Sequence, residues 1–138
     1  MTSAIKRYAD FMDGLNQETL AEMSKHVDGQ VYFSDPFNQV VGLEKMHQIF
    51  AHMYETLGEV DFDIHHYAMS GEAGLLQWRM QATLRGKPWS FEGMTKVEFN
   101  EAGLVSSHVD YWDAAREFYE HFPIIGGALK FIRRKIAL

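Results

Sequence analysis

Past Gly58 the apolar period of the chain changes from that of a helix to two, and it stays close to two as far as Trp112. Val60, Phe62, Ile64, His66 and Ala68 alternate with Asp61, Asp63, His65, Tyr67 and Met69. Beyond the Ser70-Gly71 turn, Leu76, Trp78, Met80, Ala82 and Leu84 alternate with Gln77, Arg79, Gln81 and Thr83. Arg85-Gly86-Lys87 makes a tight connection to a third strand, Trp89 to Phe99. Asn100 to Gly103 then turns the chain into a fourth, Leu104 to Trp112. Strand side chains alternate faces, so each segment has one apolar face to cover. Long antiparallel strands preceded by helices predict an α+β fold, with a curved antiparallel sheet wrapped around helices and a cavity left between them.

The helices come first in the chain. Ile5, Tyr8, Met12 and Leu15 mark one helical face, and Asn16 caps a second helix with Leu20, Met23 and Val27 inward. Asp28-Gly29 turns into a first short strand. Leu43, Met46, Phe50, Met53 and Leu57 repeat at helical spacing, and Gly58 stops that helix. Near the end, Asp113 caps a helix over Ala114 to Phe122, Pro123 ends it and Gly126-Gly127 hinges the chain. A basic amphipathic helix at about 125–137 closes it. Lys130, Arg133, Arg134 and Lys135 supply four of the 13 basic residues, and the remainder carries 9 basic against 19 acidic, or -10. Three roles fit this tail. The preferred one packs it on the body through Leu129, Ile132 and Ile136. The others are a lid or swapped arm, and an interfacial helix on anionic lipid.

A length of 138 residues with 46% hydrophobic and 23% charged content suits one domain over residues 1–138. A net charge of -6 argues against nucleic-acid partners. With no cysteine, thiol chemistry and disulfides are excluded. No signal-peptide pattern opens the chain and no apolar run is long enough to span a bilayer, so the default expectation is cytoplasmic. The 14% aromatic content predicts an aromatic-lined interior.

Val31 to Gly42, VYFSDPFNQVVG, is the stretch that bears most on chemistry. It opens as a strand and breaks at Asp35-Pro36, because proline cannot extend a ladder. Asp35 lies between Phe33 and Phe37, where ionisation is costly and the carboxyl is pushed towards the range of a useful base. Asp-Pro also opens turns in which the aspartate only accepts from nearby backbone amides. The last strand places His108, Asp110 and Trp112 on one face. If Trp112 faces the cavity, a proton-shuttling imidazole and a carboxylate face it too. Phe33, Phe37, Phe50, Trp78, Met80, Trp89, Phe91 and Trp112 are the expected lining, which as a set predicts an apolar, fairly flat ligand. His47 and His52 diverge on their helix and no His-x-x-x-His pattern occurs, so no metal site is expected.

Helix, helix, strand, Asp-Pro, long helix and four long strands resemble the nuclear-transport-factor-2-like superfamily over roughly residues 3 to 122. The run Asp110-Tyr111-Trp112-Asp113 resembles its SnoaL-like branch. The resemblance implies a cone-shaped, cystatin-like fold around an apolar cavity, often as a homodimer. Arg7-Tyr8 resembles the segment of ketosteroid isomerases that carries an oxyanion-stabilising tyrosine, and Asp35-Pro36 the segment carrying the general base. Counted back from the Phe99–Gly103 hairpin, the second oxyanion donor, an aspartic acid there, falls on Thr95, whose hydroxyl donates a weaker bond. In SnoaL-like cyclases the acid/base aspartate comes from the sheet, which makes Asp110 the rival of Asp35. The limonene-epoxide-hydrolase branch needs an arginine flanked by aspartates, whereas Arg79 falls on the face opposite Trp78 and Gln81 stands in an aspartate's place.

The expectation is an isomerase, cyclase or lyase that needs no cofactor and moves a proton next to a carbonyl. Asp35 is its base, Tyr8 and Thr95 bind the oxyanion, and His108 and Asp110 assist. The alternative is a non-catalytic module of the same fold, holding a small apolar ligand or a partner protein.

Overall fold

The structure, a computed structural model, describes residues 2 to 137. The chain runs α1 (Ala4–Met12), a 3-10 segment (Thr19–Lys25), β1 (Val27–Ser34), β2 (Gln39–Val41), α2 (Leu43–Thr56), β3 (Gly58–Ser70), β4 (Ala73–Leu84), β5 (Lys87–Phe99) and β6 (Val105–Tyr111). It ends in α3 (Ala114–Glu117), a 3-10 turn (Tyr119–His121) and α4 (Pro123–Ile136).

Ser3 caps α1 by accepting from the Lys6 amide, and Ile5, Tyr8, Ala9, Phe11 and Met12 form its buried face. At its end Gly14 takes φ 69° and donates to the Phe62 carbonyl at 2.8 Å, which ties α1 to β3. The helix expected from Asn16 is instead a 3-10 segment. The Asn16 side chain accepts from the amides of both Glu18 and Thr19 at 2.9 Å, and Leu20 and Met23, three apart, fall on one side of the tighter coil. Val27 begins β1 and does not extend the helical face.

The six strands lie in the order β2-β1-β6-β5-β4-β3. The long strands β3 to β6 pair antiparallel, as the alternation predicts. The pair β1/β6 is parallel, which the sequence reading did not anticipate. It follows from α2, which carries the chain from β2 at one edge to β3 at the other. Register shifts in β1, β3 and β6 bend the sheet into its curl. Arg85 and Gly86, at φ 54° and 77°, make the two-residue hairpin between β4 and β5. In β5, Trp89, Phe91, Gly93, Thr95 and Val97 are buried and alternate with exposed Ser90, Glu92, Met94, Lys96 and Glu98. Helices α1 and α2 cover the concave face, and each fully buried side chain there, such as Phe33 or Met46, contributes about 1.5–3 kcal/mol.

Three expectations about the end of the chain are corrected. The helix capped by Asp113 is a single turn, ending at Glu117. Pro123 does not end a helix but starts α4, where its missing N–H is no loss. Gly126 and Gly127 lie inside α4 and do not hinge the chain, and a Cβ on buried Gly126 would run into the Glu120 carbonyl. The preferred packing through Leu129, Ile132 and Ile136 also fails. Leu129 is half-buried, but Ile132 is 55% and Ile136 82% exposed. The contact face is instead Gly126 and Arg133, whose guanidinium donates to Glu120 Oε1 at 2.6 Å. Among the described residues no helix is long and apolar enough to cross a membrane.

Candidate functional site

Between the concave sheet face and α2 lies a cavity of about 840 Å³. All the side chains expected to line it do so. Phe33 and Phe50 come from β1 and α2, Trp78 and Met80 from β4, and Trp89, Phe91 and Thr95 from β5. Trp112 stacks on Phe91 with ring centroids 4.2 Å apart, and Phe37, 47% exposed, stands at the rim. Trp89 is fixed by its indole N–H, which donates to the Glu117 carbonyl at 2.6 Å.

His108 and Asp110 line the cavity together, as the period of β6 requires. The strand register builds their surroundings. Phe33 pairs with His108 and Ser34 with Val109, so the parallel pair carries Asp35 to the level of Asp110. Across the antiparallel pair, Thr95 stands opposite Asp110. On β4, Trp78 stands opposite Gly93, where a Cβ would collide with the indole. The missing side chain lets Trp78 lie across β5 and reach Thr95.

The result is one directed hydrogen-bond chain. The Trp78 indole N–H donates to Thr95 Oγ1 at 2.8 Å, and the Thr95 hydroxyl donates to Asp110 Oδ1 at 2.6 Å. From the other side, Tyr8 Oη and His108 Nδ1 are 2.7 Å apart, and His108 Nε2 and Asp110 Oδ1 are 2.8 Å apart. Asp110 accepts from Nε2–H, which leaves Nδ1 to accept from the Tyr8 hydroxyl, and every proton is then used. Both arms end on Asp110 Oδ1. Its Oδ2 takes no hydrogen bond among the described residues. Burial, with the Asp110 charge adding to it, holds the Tyr8 phenol well above its ordinary range, so it stays a donor.

Tyr8 and Thr95 therefore cannot serve as the expected oxyanion donors. Tyr8 is buried behind His108 and does not line the cavity, while the Thr95 proton is committed to Asp110. Asp35 satisfies both of its readings. Its Oδ1 accepts from the amides of Phe37 and Asn38 at 2.8 and 2.7 Å, closing the turn, and it also lines the cavity. Burial raises its pKa against the lowering effect of those bonds, and the Asp110 charge raises it further.

Polar residues on α2 escaped the sequence reading. Lys45, Gln48, His52 and Thr56 reach the cavity from the helical face beside the apolar stripe. Their spacing of three to four was the available signal. Arg79 lies outside the cavity lining, bonded to Ser90 and Glu92 at 2.8 and 3.1 Å, so it does not join the two aspartates. Among the described residues no group of three or more metal-ligating side chains converges.

A SnoaL-like domain family model matches residues 8–108. No curated protein matches the chain. Among solved structures, a nuclear-transport-factor-2-like protein of unknown function from Burkholderia pseudomallei superposes with TM-score 0.74 at 14% identity, covering 84% of this chain and 95% of its own. An LEH-like epoxide hydrolase from M. tuberculosis gives TM-score 0.69 at 18% identity, with coverage of 83% and 86%. A protein assigned as a SnoaL-like polyketide cyclase from Jannaschia gives 0.69 at 13%, with coverage of 82% and 85%. At these identities the structural likeness establishes the fold.

Proposed function

The chain belongs to the SnoaL-like domain family, and from that premise we propose that it binds a small apolar carbonyl compound in its cavity and moves a proton next to the carbonyl, as an isomerase or cyclase does. One observation carries this reading: two carboxyls of unlike environment share one largely apolar cavity. Every donor in the buried chain runs towards Asp110, so Asp110 is its terminal acceptor and takes the proton from carbon through Oδ2. Asp35, raised by burial, holds a proton more readily than an ordinary carboxyl and returns one to the substrate. His108, Thr95 and Trp78 fix Asp110, and Tyr8 acts only through His108 as a positioning residue.

A non-catalytic carrier is the competing reading. It is favoured by one specific feature, that Tyr8, His108, Trp78 and Thr95 commit their donors to one another and to Asp110, leaving none of the four for an enolate. The test is deuterium exchange in D2O, followed by proton NMR on a set of cyclic β-diketones and β,γ-unsaturated ketones. Catalysed exchange at the carbon next to the carbonyl is expected, falling about 10²–10⁴-fold in Asp110→Asn while ligand binding is kept. Ligands that bind without accelerated exchange establish the carrier.

A further inference from the structure

We propose that α4 is an interfacial helix that rests on an anionic lipid bilayer. Its body-facing side is narrow. Gly126 packs against Glu120, Leu129 is half-buried and Arg133 is paired with Glu120. The rest of the helix faces away from the body. Ile124 is 87%, Phe131 62% and Ile136 82% exposed, and Ile125 and Ile132 are exposed beside them. With Ala128, at helical spacing, these residues cover one continuous arc of about 140°. Exposed isoleucine and phenylalanine in that number mark a surface that meets something apolar.

Charge identifies the occupant. No acidic residue follows Glu120, and Glu120 is taken by Arg133. Lys130 and Arg134 lie together along one side of the arc, beyond Phe131, while Lys135 lies inside it with its ammonium 5.2 Å from the Phe131 ring centroid. A lysine within an apolar face can extend its stem and put its charge at headgroup level. An apolar arc with one cation inside it and two along one edge fits an anionic bilayer. A second α4 docked face to face would bring like charges together. The 14 residues of α4 span about 21 Å, enough to lie in the interface and too short to cross it. Because α4 starts four residues after Tyr119, which with Phe118 lines the cavity, a chain held this way keeps its cavity close to the bilayer surface. The contact does not rest on the chemistry proposed for the cavity.

The test is vesicle flotation of the full chain with phosphatidylcholine alone and with phosphatidylglycerol added. The chain is expected to float with the anionic vesicles, to float poorly with the neutral ones and to be released by high salt. Ile132→Asp and Ile136→Asp, both at exposed positions, should abolish flotation while circular dichroism stays unchanged. Lys130→Gln and Arg134→Gln should each weaken it roughly fivefold. No flotation of the unaltered chain overturns the proposal. So does flotation that these variants leave untouched. Light scattering that shows a dimer dissolved by Ile132→Asp, without vesicle binding, assigns the face to a second copy and overturns it as well.

Discussion

Asp110 and Asp35 share a cavity but are held by opposite means. Asp110 is held from a distance. Its Oδ1 accepts from Thr95 across the β5/β6 pair and from His108, which is itself fixed by Tyr8, 100 residues earlier in sequence. Asp35 is held by its own turn, with every hydrogen-bond partner within three residues. The first arrangement is rigid because moving one group strands several buried ones. The second leaves its carboxyl free to gain and lose a proton without disturbing the sheet.

The largest effect expected from this contrast is on stability. Asp110→Ala leaves the His108 Nε2–H and the Thr95 hydroxyl unpaired in a buried setting, at about 1–3 kcal/mol each, whereas Asp35→Ala loses only local turn bonds at about 1 kcal/mol. Urea titration of both variants checks the ranking, and equal losses would show that the chain does not act as a unit. Gly93→Ala comes next, at about 1–3 kcal/mol, because the added methyl meets the Trp78 ring. That loss should shrink in a Trp78→Phe background, which a double-mutant cycle measures. Tyr8→Phe leaves His108 Nδ1 without its donor and should cost about 1–2 kcal/mol. It should also lower any exchange activity through turnover and not through ligand affinity, since Tyr8 lies behind the cavity wall.

The same contrast explains what could be read from the sequence. The Asp35 turn is local, and Asp-Pro between two phenylalanines announces it. The period of β6 is local too, and it placed His108, Asp110 and Trp112 on the cavity face. Which groups meet Asp110 is set by register, and register is not written in any one segment. Thr95 was singled out as an oxyanion donor, but its hydroxyl donates to its partner across the strands, Asp110. Gly93 drew no notice because a glycine within a strand acquires meaning only once Trp78 is known to stand opposite. At the end of the chain the misreading was one of context. Pro123 and the Gly126-Gly127 pair break helices on average, yet proline suits a first turn, and Gly126 is what lets α4 approach Glu120.

Asp35→Asn is the mildest change and the sharpest test of how the two carboxyls differ. The amide oxygen still accepts from Phe37 and Asn38, so the turn survives. Burial raises the folded pKa of Asp35 above its ordinary 3.8, so the folded chain binds the proton more tightly than the unfolded one. Stability from this group is then fully present below that ordinary value, falls as pH rises towards the raised folded pKa, and is flat beyond it. Asparagine has no charge to desolvate, so the variant should be level with or slightly more stable than the parent at neutral pH, within about 1 kcal/mol. The stability of the parent relative to the variant should therefore fall as pH rises from acid to neutral, a difference that urea midpoints of both chains across that range would reveal. If exchange activity also vanishes in a variant this stable, Asp35 is a participant in the chemistry and not only a turn former. If the difference between parent and variant does not change with pH, Asp35 is not the group that titrates there and the division of labour between the two carboxyls fails.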